Sequence, residues 1–166
     1  MGASTADAVT VRQFSYDPAD AKTREVTGGL TFQFNQSMFG VKVTNVRATE
    51  AKATADLAPA APSAVGPGGL AAVPGAPKGD LYAVLPTDEG AALTSALCPG
   101  SRRAWMAIGK LKFDQDLQVY VIGDSPTGGP ARTCQALAFT FHGEWRLPPP
   151  AEPFDTRELD QPQFPR

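Results

Sequence analysis

Hydrophobic and polar residues alternate along much of this chain, and the alternation stops where proline and glycine gather. Val9, Val11 and the group Phe14-Ser15-Tyr16 form a first extended segment. Asp17-Pro18 ends it, because proline fixes its own φ and biases its predecessor away from helix. Between Thr23 and Asn35 the pattern predicts two extended runs flanking Gly28-Gly29, with Leu30, Phe32 and Phe34 alternating against Thr31, Gln33 and Asn35. Paired glycines supply the positive φ of a two-residue turn, so this stretch is read as a hairpin. Val41 and Val43 continue the extended pattern past Gly40. From Thr44 to Leu57 two periods compete: Val46, Ala53 and Leu57 fit a helical stripe, while Ala51, Ala53, Ala55 and Leu57 alternate. The frequent threonines tip the balance towards strand, since β-branching suits a pleated surface.

The clearest succession of elements runs from Gly79 to Arg146. Leu81 to Leu85 predicts a short strand. Thr87 then caps a helix that carries Asp88 and Glu89 at its positive end and Leu93 and Leu97 on one face. Pro99-Gly100 stops it just after Cys98. From Arg103 to Phe113 alternation puts Trp105, Ala107, Leu111 and Phe113 on one face and Met106, Ile108, Lys110 and Lys112 on the other. Asp114-Gln115-Asp116 turns the chain into Leu117 to Ile122, a second hairpin. After a loop, a last strand runs from Cys134 to Trp145, with Leu137, Phe139, Phe141 and Trp145 expected to face the core.

These elements predict an α+β fold, mostly antiparallel β, in which two hairpin regions form a sheet system and one short helix, about 87–98, packs on it. Residues 1–146 are expected to make a single globular domain. An Ala-, Pro- and Gly-rich loop at 58–78 interrupts it, through which no regular element is expected to run. Residues 147–166 form a proline-rich C-terminal tail suited to polyproline II geometry.

Composition narrows the picture. The 166 residues hold 16 Gly and 16 Pro, which points to long irregular connections. Fifteen Lys and Arg against 17 Asp and Glu give a net charge of −2, too little field to recruit nucleic acid. No apolar run is long enough for a helical membrane span, and Met1 to Thr10 lacks an export signal. Two locations fit: cytoplasmic as written, or periplasmic or secreted if a leader was removed and replaced by Met1-Gly2. The Ala-, Pro- and Gly-rich loops suggest a GC-rich source. The layout of strand, helix, hairpin and closing strand is similar in kind to small bacterial proteins, a likeness that implies no chemistry.

Candidate chemistry is sparse. Cys98 at a helix end and Cys134 at a strand start are a possible disulfide worth at most roughly 4 kcal/mol, or two unlinked thiols; a redox-active pair lacks the C-x-x-C spacing. His142 is the single histidine, and it shares strand parity with Glu144, opposite Phe141 and Trp145. The two, with Arg102 and Arg103 at a strand entry, are candidate polar contacts for a ligand, against the plainer reading of a solvated strand face. Asp114 and Asp116 belong to a turn, and neither glycine-rich loop has the setting or the lysine of a phosphate cradle. No catalytic residue, metal ligand or cofactor is assigned. In the tail, Phe154, Leu159 and Phe164 space apolar anchors along a proline-stiffened segment, as in peptides that dock into grooves.

The residues therefore favour a non-enzymatic protein-interaction or assembly module with a protein partner at the tail or the central loop. The alternative is a small-molecule-binding protein or an enzyme with a pocket around His142 and Glu144.

Overall fold

The computed structural model describes residues 9–50, 52–75 and 77–145. Eight antiparallel strands follow one another around a closed barrel: β1 Thr10–Pro18, β2 Leu30–Ser37, β3 Gly40–Ala48, β4 Ala53–Pro59, β5 Asp80–Val84, β6 Ala104–Ile108, β7 Leu117–Gly123 and β8 Arg132–Trp145. Helix α1, Ala21–Thr27, joins β1 to β2, and helix α2, Asp88–Leu97, joins β5 to β6. β8 pairs with β1 from Gln13 opposite Trp145 to Pro18 opposite Phe139. That closing pair corrects the expected α+β fold: the sheet is a barrel without a free first or last strand, and its helices cap an end rather than cover a face.

The inward positions explain the closure. Phe14 and Tyr16 on β1, Leu30, Phe32 and Phe34 on β2, Val119 and Val121 on β7, and Leu137 and Phe139 on β8 are all buried in one cluster. The rings interlock edge to face, Phe14 lying 4.9 Å from Phe34 and 5.1 Å from Phe141 between centroids. Eight strands enclose a space that side chains of this size fill.

The two barrel ends differ. At one end, α1 and α2 close the opening. α1 replaces the first arm of the hairpin expected between Thr23 and Asn35. The Asp20 side chain accepts from Thr23 N at 2.7 Å, and Gly28, at φ 67°, is the left-handed cap that ends the helix. Gly28-Gly29 is thus a helix stop before β2, and the actual β2–β3 turn is Met38-Phe39. α2 begins as its sequence predicts, with Thr87 Oγ1 accepting from Gly90 N at 2.9 Å, and sends Leu93 and Leu97 into the core. The disulfide Cys98–Cys134, Cα atoms 5.3 Å apart, ties the exit of α2 to the start of β8 at this end.

Two further expectations change. The stretch after β4 holds two single 3-10 turns, Pro62–Val65 and Gly69–Ala72. Its Val65 and Val73 are buried against Leu81, Trp105, Ala107 and Ile122 on the outer wall, which makes this proline-rich segment a cover over β5, β6 and β7. On β8 a bulge skips His142, since Tyr16 faces Phe141 while Ser15 faces Gly143. Side chains beyond the bulge change sides. Trp145, expected in the core, is 58% exposed on the outside, and its indole donates to Ser15 Oγ at 2.7 Å.

Candidate binding site

The second barrel end carries the Met38-Phe39 turn, the loop from 109 to 116 between β6 and β7, and the point where β8 leaves the barrel at Trp145. Among the described residues no helix lies over it. Its floor is aromatic: Phe113 packs 4.9 Å from Phe141 and 6.4 Å from Phe14. On the β8–β1–β2 side the rim is polar and paired. Arg12 donates to both carboxylate oxygens of Glu144 at 2.8 Å and to Gln36 Oε1 at 2.6 Å, with its guanidinium 4.8 Å above the Phe14 ring. The bond to Glu144 raises the Arg12 pKa, so this cation stays charged and committed.

On the opposite side the wall is open. β3 pairs with β4 only over Asn45–Ala48, while β4 moves on to pair Leu57–Pro59 with β5. The first half of β3, from Gly40 to Thr44, therefore has no β4 residue opposite it. Tyr82 of β5 reaches across the gap, and its Oη accepts from Val43 N at 3.2 Å. Burial raises the Tyr82 phenol pKa, opposed by the Val43 amide and assisted by the charge of Asp80. In front of this tyrosine lies a cavity of about 450 Å³, bounded by Phe39, Val41, Val43, Ile108, Leu111 and Tyr82 among others. A groove of about 470 Å³ adjoins it outside, between Val41-Lys42 and Gly79–Tyr82, with Pro59, Pro62 and Leu70 as its far bank. A third hollow of about 390 Å³ runs past Lys78, Lys110 and Tyr120. Asp80 lines all three, so the hollows meet at this residue as one slot in the side of the barrel.

The charge of this slot is opposite to that of the chain. Lys42, Lys78, Lys110 and Lys112 line it against the lone carboxylate Asp80, a local +3 on a protein of net −2. Apolar side chains dominate its walls, and Phe39 at 88% and Met38 at 85% exposure stand uncovered beside it. The slot thus combines a strand edge without a β4 neighbour, an apolar lining and a cationic rim.

The residues singled out from sequence lie elsewhere. The bulge separates His142 from Glu144: His142 Nδ1 pairs with Asp17 Oδ2 at 2.9 Å on the exposed outer wall, whereas Glu144 turns to the barrel mouth and Arg12. Arg102 and Arg103 sit at the helix-capped end, where both backbone amides donate to Asp124 Oδ1 at 2.9 and 3.0 Å and the Arg103 guanidinium lies 5.0 Å from the Trp105 ring. The structure brings neither arginine to His142 or Glu144, and none of the four residues lines the cavities described above. Phe154, Leu159 and Phe164 lie outside the described residues. Among the described residues no group of three or more His, Cys, Asp or Glu side chains is placed to hold a metal ion, and no helix is long and apolar enough to cross a membrane. Lys110 and Lys112, assigned to a strand face by alternation, instead belong to the loop after β6, as does Phe113. Comparison with protein-family models, curated proteins and solved structures finds no match to this chain.

Proposed function

We propose that this protein is a non-enzymatic binding module that takes an extended, acidic peptide segment into the slot between β3 and β5. The observation that supports it most is the stretch from Gly40 to Thr44, which pairs with β2 on one edge but has no strand on the other, set between apolar walls and four lysines. A peptide laid along this stretch gains main-chain hydrogen bonds and buries alternate side chains against Val41, Leu111 and Phe39, while its carboxylates meet the lysines. The lysines select against basic segments and speed encounter, and this part of the affinity weakens with salt.

The test uses the full chain and two short acetylated peptides, one alternating phenylalanine with aspartate and one alternating phenylalanine with lysine, followed by fluorescence anisotropy. The acidic peptide is expected to bind, the basic one not, and Lys110→Glu with Lys112→Glu is expected to weaken binding roughly tenfold, a loss of about 1.4 kcal/mol. Equal binding of both peptides, or no effect of the charge reversals, refutes the assignment. Preferential binding of a free fatty acid over the acidic peptide would replace it with a small-molecule role, to which a volume of about 450 Å³ is also suited.

A further inference from the structure

One stretch of the outer wall, across β8, β1, β2, β3 and β4, is built almost wholly of neutral polar side chains and ends in a tryptophan. A single ladder row crosses all five strands: Trp145 faces Gln13, Gln13 faces Gln33, Gln33 faces Asn45, and Asn45 faces Asp56. The row beside it runs from Gly143 through Ser15, Thr31 and Arg47 to Thr54. Both rows point outward, because side chains alternate across a strand and Phe14, Phe32, Val46 and Ala55 between them are buried. A hollow of about 340 Å³ lies on these rows, lined by Gln13, Thr31, Gln33, Asn45, Arg47 and Asp56 among others, and it shares no lining residue with the slot.

The chemistry of the rows suits a neutral ligand rich in hydroxyl groups. Arg47 and Asp56 are the only ionisable side chains in these ten ladder positions, and their charges cancel, so the wall attracts neither sign of ion. The amides and hydroxyls hold one another in place. Gln13 Nε2 donates to Gln33 Oε1 at 3.2 Å, Asn45 Nδ2 donates to Asp56 Oδ1 at 3.0 Å, and the hydroxyls of Ser15 and Thr31 share a bond of 2.9 Å. An amide side chain carries two N–H donors and a carbonyl acceptor, so the first of these bonds leaves the Gln13 oxygen and the Gln33 amino group side by side for a ligand. Neighbouring hydroxyls of a sugar ring need that pairing of one acceptor with one donor. Trp145 supplies the apolar half. It is 58% exposed, with its indole N–H held by Ser15 Oγ at 2.7 Å, and Gly143, two residues before it on the same face, has open space where a side chain would stand. An indole fixed at its nitrogen and uncovered beside it is a platform for the C–H face of a pyranose.

We infer that this wall binds a neutral oligosaccharide, one ring stacked on Trp145 and the following units hydrogen-bonded along Gln13, Gln33 and Asn45 towards Asp56. Four neighbouring strand spacings of about 4.8 Å make the row roughly 19 Å long, so the ligand is an oligomer and not a single sugar. The site stands apart from the slot. Peptide capture between β3 and β5 neither requires it nor excludes it.

Nitrogen–proton correlation spectra of the full chain test this during titration with three neutral hexasaccharides, cellohexaose, maltohexaose and chitohexaose, and with hexagalacturonate as an anionic control. At least one neutral sugar is expected to shift the Trp145 indole signal and the side-chain amide signals of Gln13, Gln33 and Asn45, while the backbone signals of Val41 and Lys110 in the slot stay in place. No shift with any of the three, tighter binding of hexagalacturonate, or shifts centred on the slot or elsewhere on the barrel overturn the inference. The mapping uses the parent chain and so stands even where a variant fails to fold. Calorimetry with the sugar that binds then compares variants. Trp145→Ala is expected to weaken binding about tenfold, the worth of one aromatic contact, and Trp145→Phe, which keeps a ring, to restore most of it. Gln33→Ala is expected to weaken it about fivefold, the worth of one hydrogen bond. Unchanged affinity in a folded Trp145→Ala or Gln33→Ala chain also overturns the assignment.

Discussion

Val43 N donates to the phenol of Tyr82 across 3.2 Å, joining β3 to β5 at the place where β4 has left the barrel wall. The bond replaces one rung of a ladder and fixes the floor of the slot. Tyr82→Phe removes it while keeping the ring, so a loss of about 1 kcal/mol is expected, the usual net value of one hydrogen bond plus an unpaired amide. Hydrogen exchange at Val43 is expected to quicken while exchange in β7 and β8 is unchanged. Uniform change across the barrel would show that the bond is not a local fastener.

Tyr16 makes the opposite prediction. Its ring is 2% exposed among Phe14, Phe32, Phe139 and Phe141, yet its hydroxyl has no hydrogen-bond partner among the described residues. Tyr16→Phe is expected to leave stability unchanged or to raise it by about 1 kcal/mol, because a buried unsatisfied hydroxyl costs more than its absence. Burial also raises the Tyr16 pKa. An unfolded tyrosine loses its proton near pH 10 while the folded one keeps it. The resulting stabilisation is complete below about pH 10 and is lost as pH rises from there through the raised native value. Urea denaturation from pH 8 to 11 is expected to show a steep alkaline fall in the parent and a shallower one in Tyr16→Phe.

At the capped end, the disulfide has a neighbour without which it would not fit. A β-carbon on Gly123 would run into the sulfurs of Cys98 and Cys134 and the hydroxyl of Ser101. Gly123→Ala is therefore expected to cost about 2 kcal/mol by overpacking, or to keep the cysteines reduced. Reducing the native bridge, which spans 36 residues of sequence, is expected to cost up to roughly 4 kcal/mol. Thermal melts with and without reductant measure both. If Gly123→Ala is mainly a clash with the bridge, its penalty shrinks under reductant.

Much of this end was legible in the sequence, and little of the other. Thr87 followed by Asp88 and Glu89 announces α2 locally, and the alternation in β1, β2 and β8 marks strands wherever one face is buried. What local pattern does not carry is closure, since the pairing of Gln13 with Trp145 joins residues at opposite ends of the described chain. Parity also fails at His142, where a single bulged residue sends Glu144 inward and Trp145 outward. α1 was hidden because Thr23, Val26 and Thr27 are β-branched, although Asp20, three residues ahead of Thr23, is a cap signal. The slot had no signal of its own. It exists because β4 parts from β3 after pairing Asp56 with Asn45 and goes on to β5, and because Lys110 and Lys112 lie in a loop where alternation predicted a strand.

The exposed phenylalanines separate packing from binding. Phe39 stands 88% exposed on the β2–β3 turn, where it flanks the slot. Phe113 is 61% exposed, yet it stacks on Phe141 and Phe14 and so covers the core. Phe39→Ser is expected to change stability by less than about 0.5 kcal/mol, as surface substitutions do. Phe113→Ser is expected to cost about 1 kcal/mol, since it forfeits two ring contacts and wets the barrel floor. Binding should rank the pair the other way: Phe39→Ser is expected to weaken capture of the acidic peptide more than Phe113→Ser does. Denaturant midpoints and anisotropy titrations on the same preparations check both orders. If the residue that matters more for folding also matters more for binding, the peptide sits over the aromatic floor of the barrel instead of in the slot between β3 and β5.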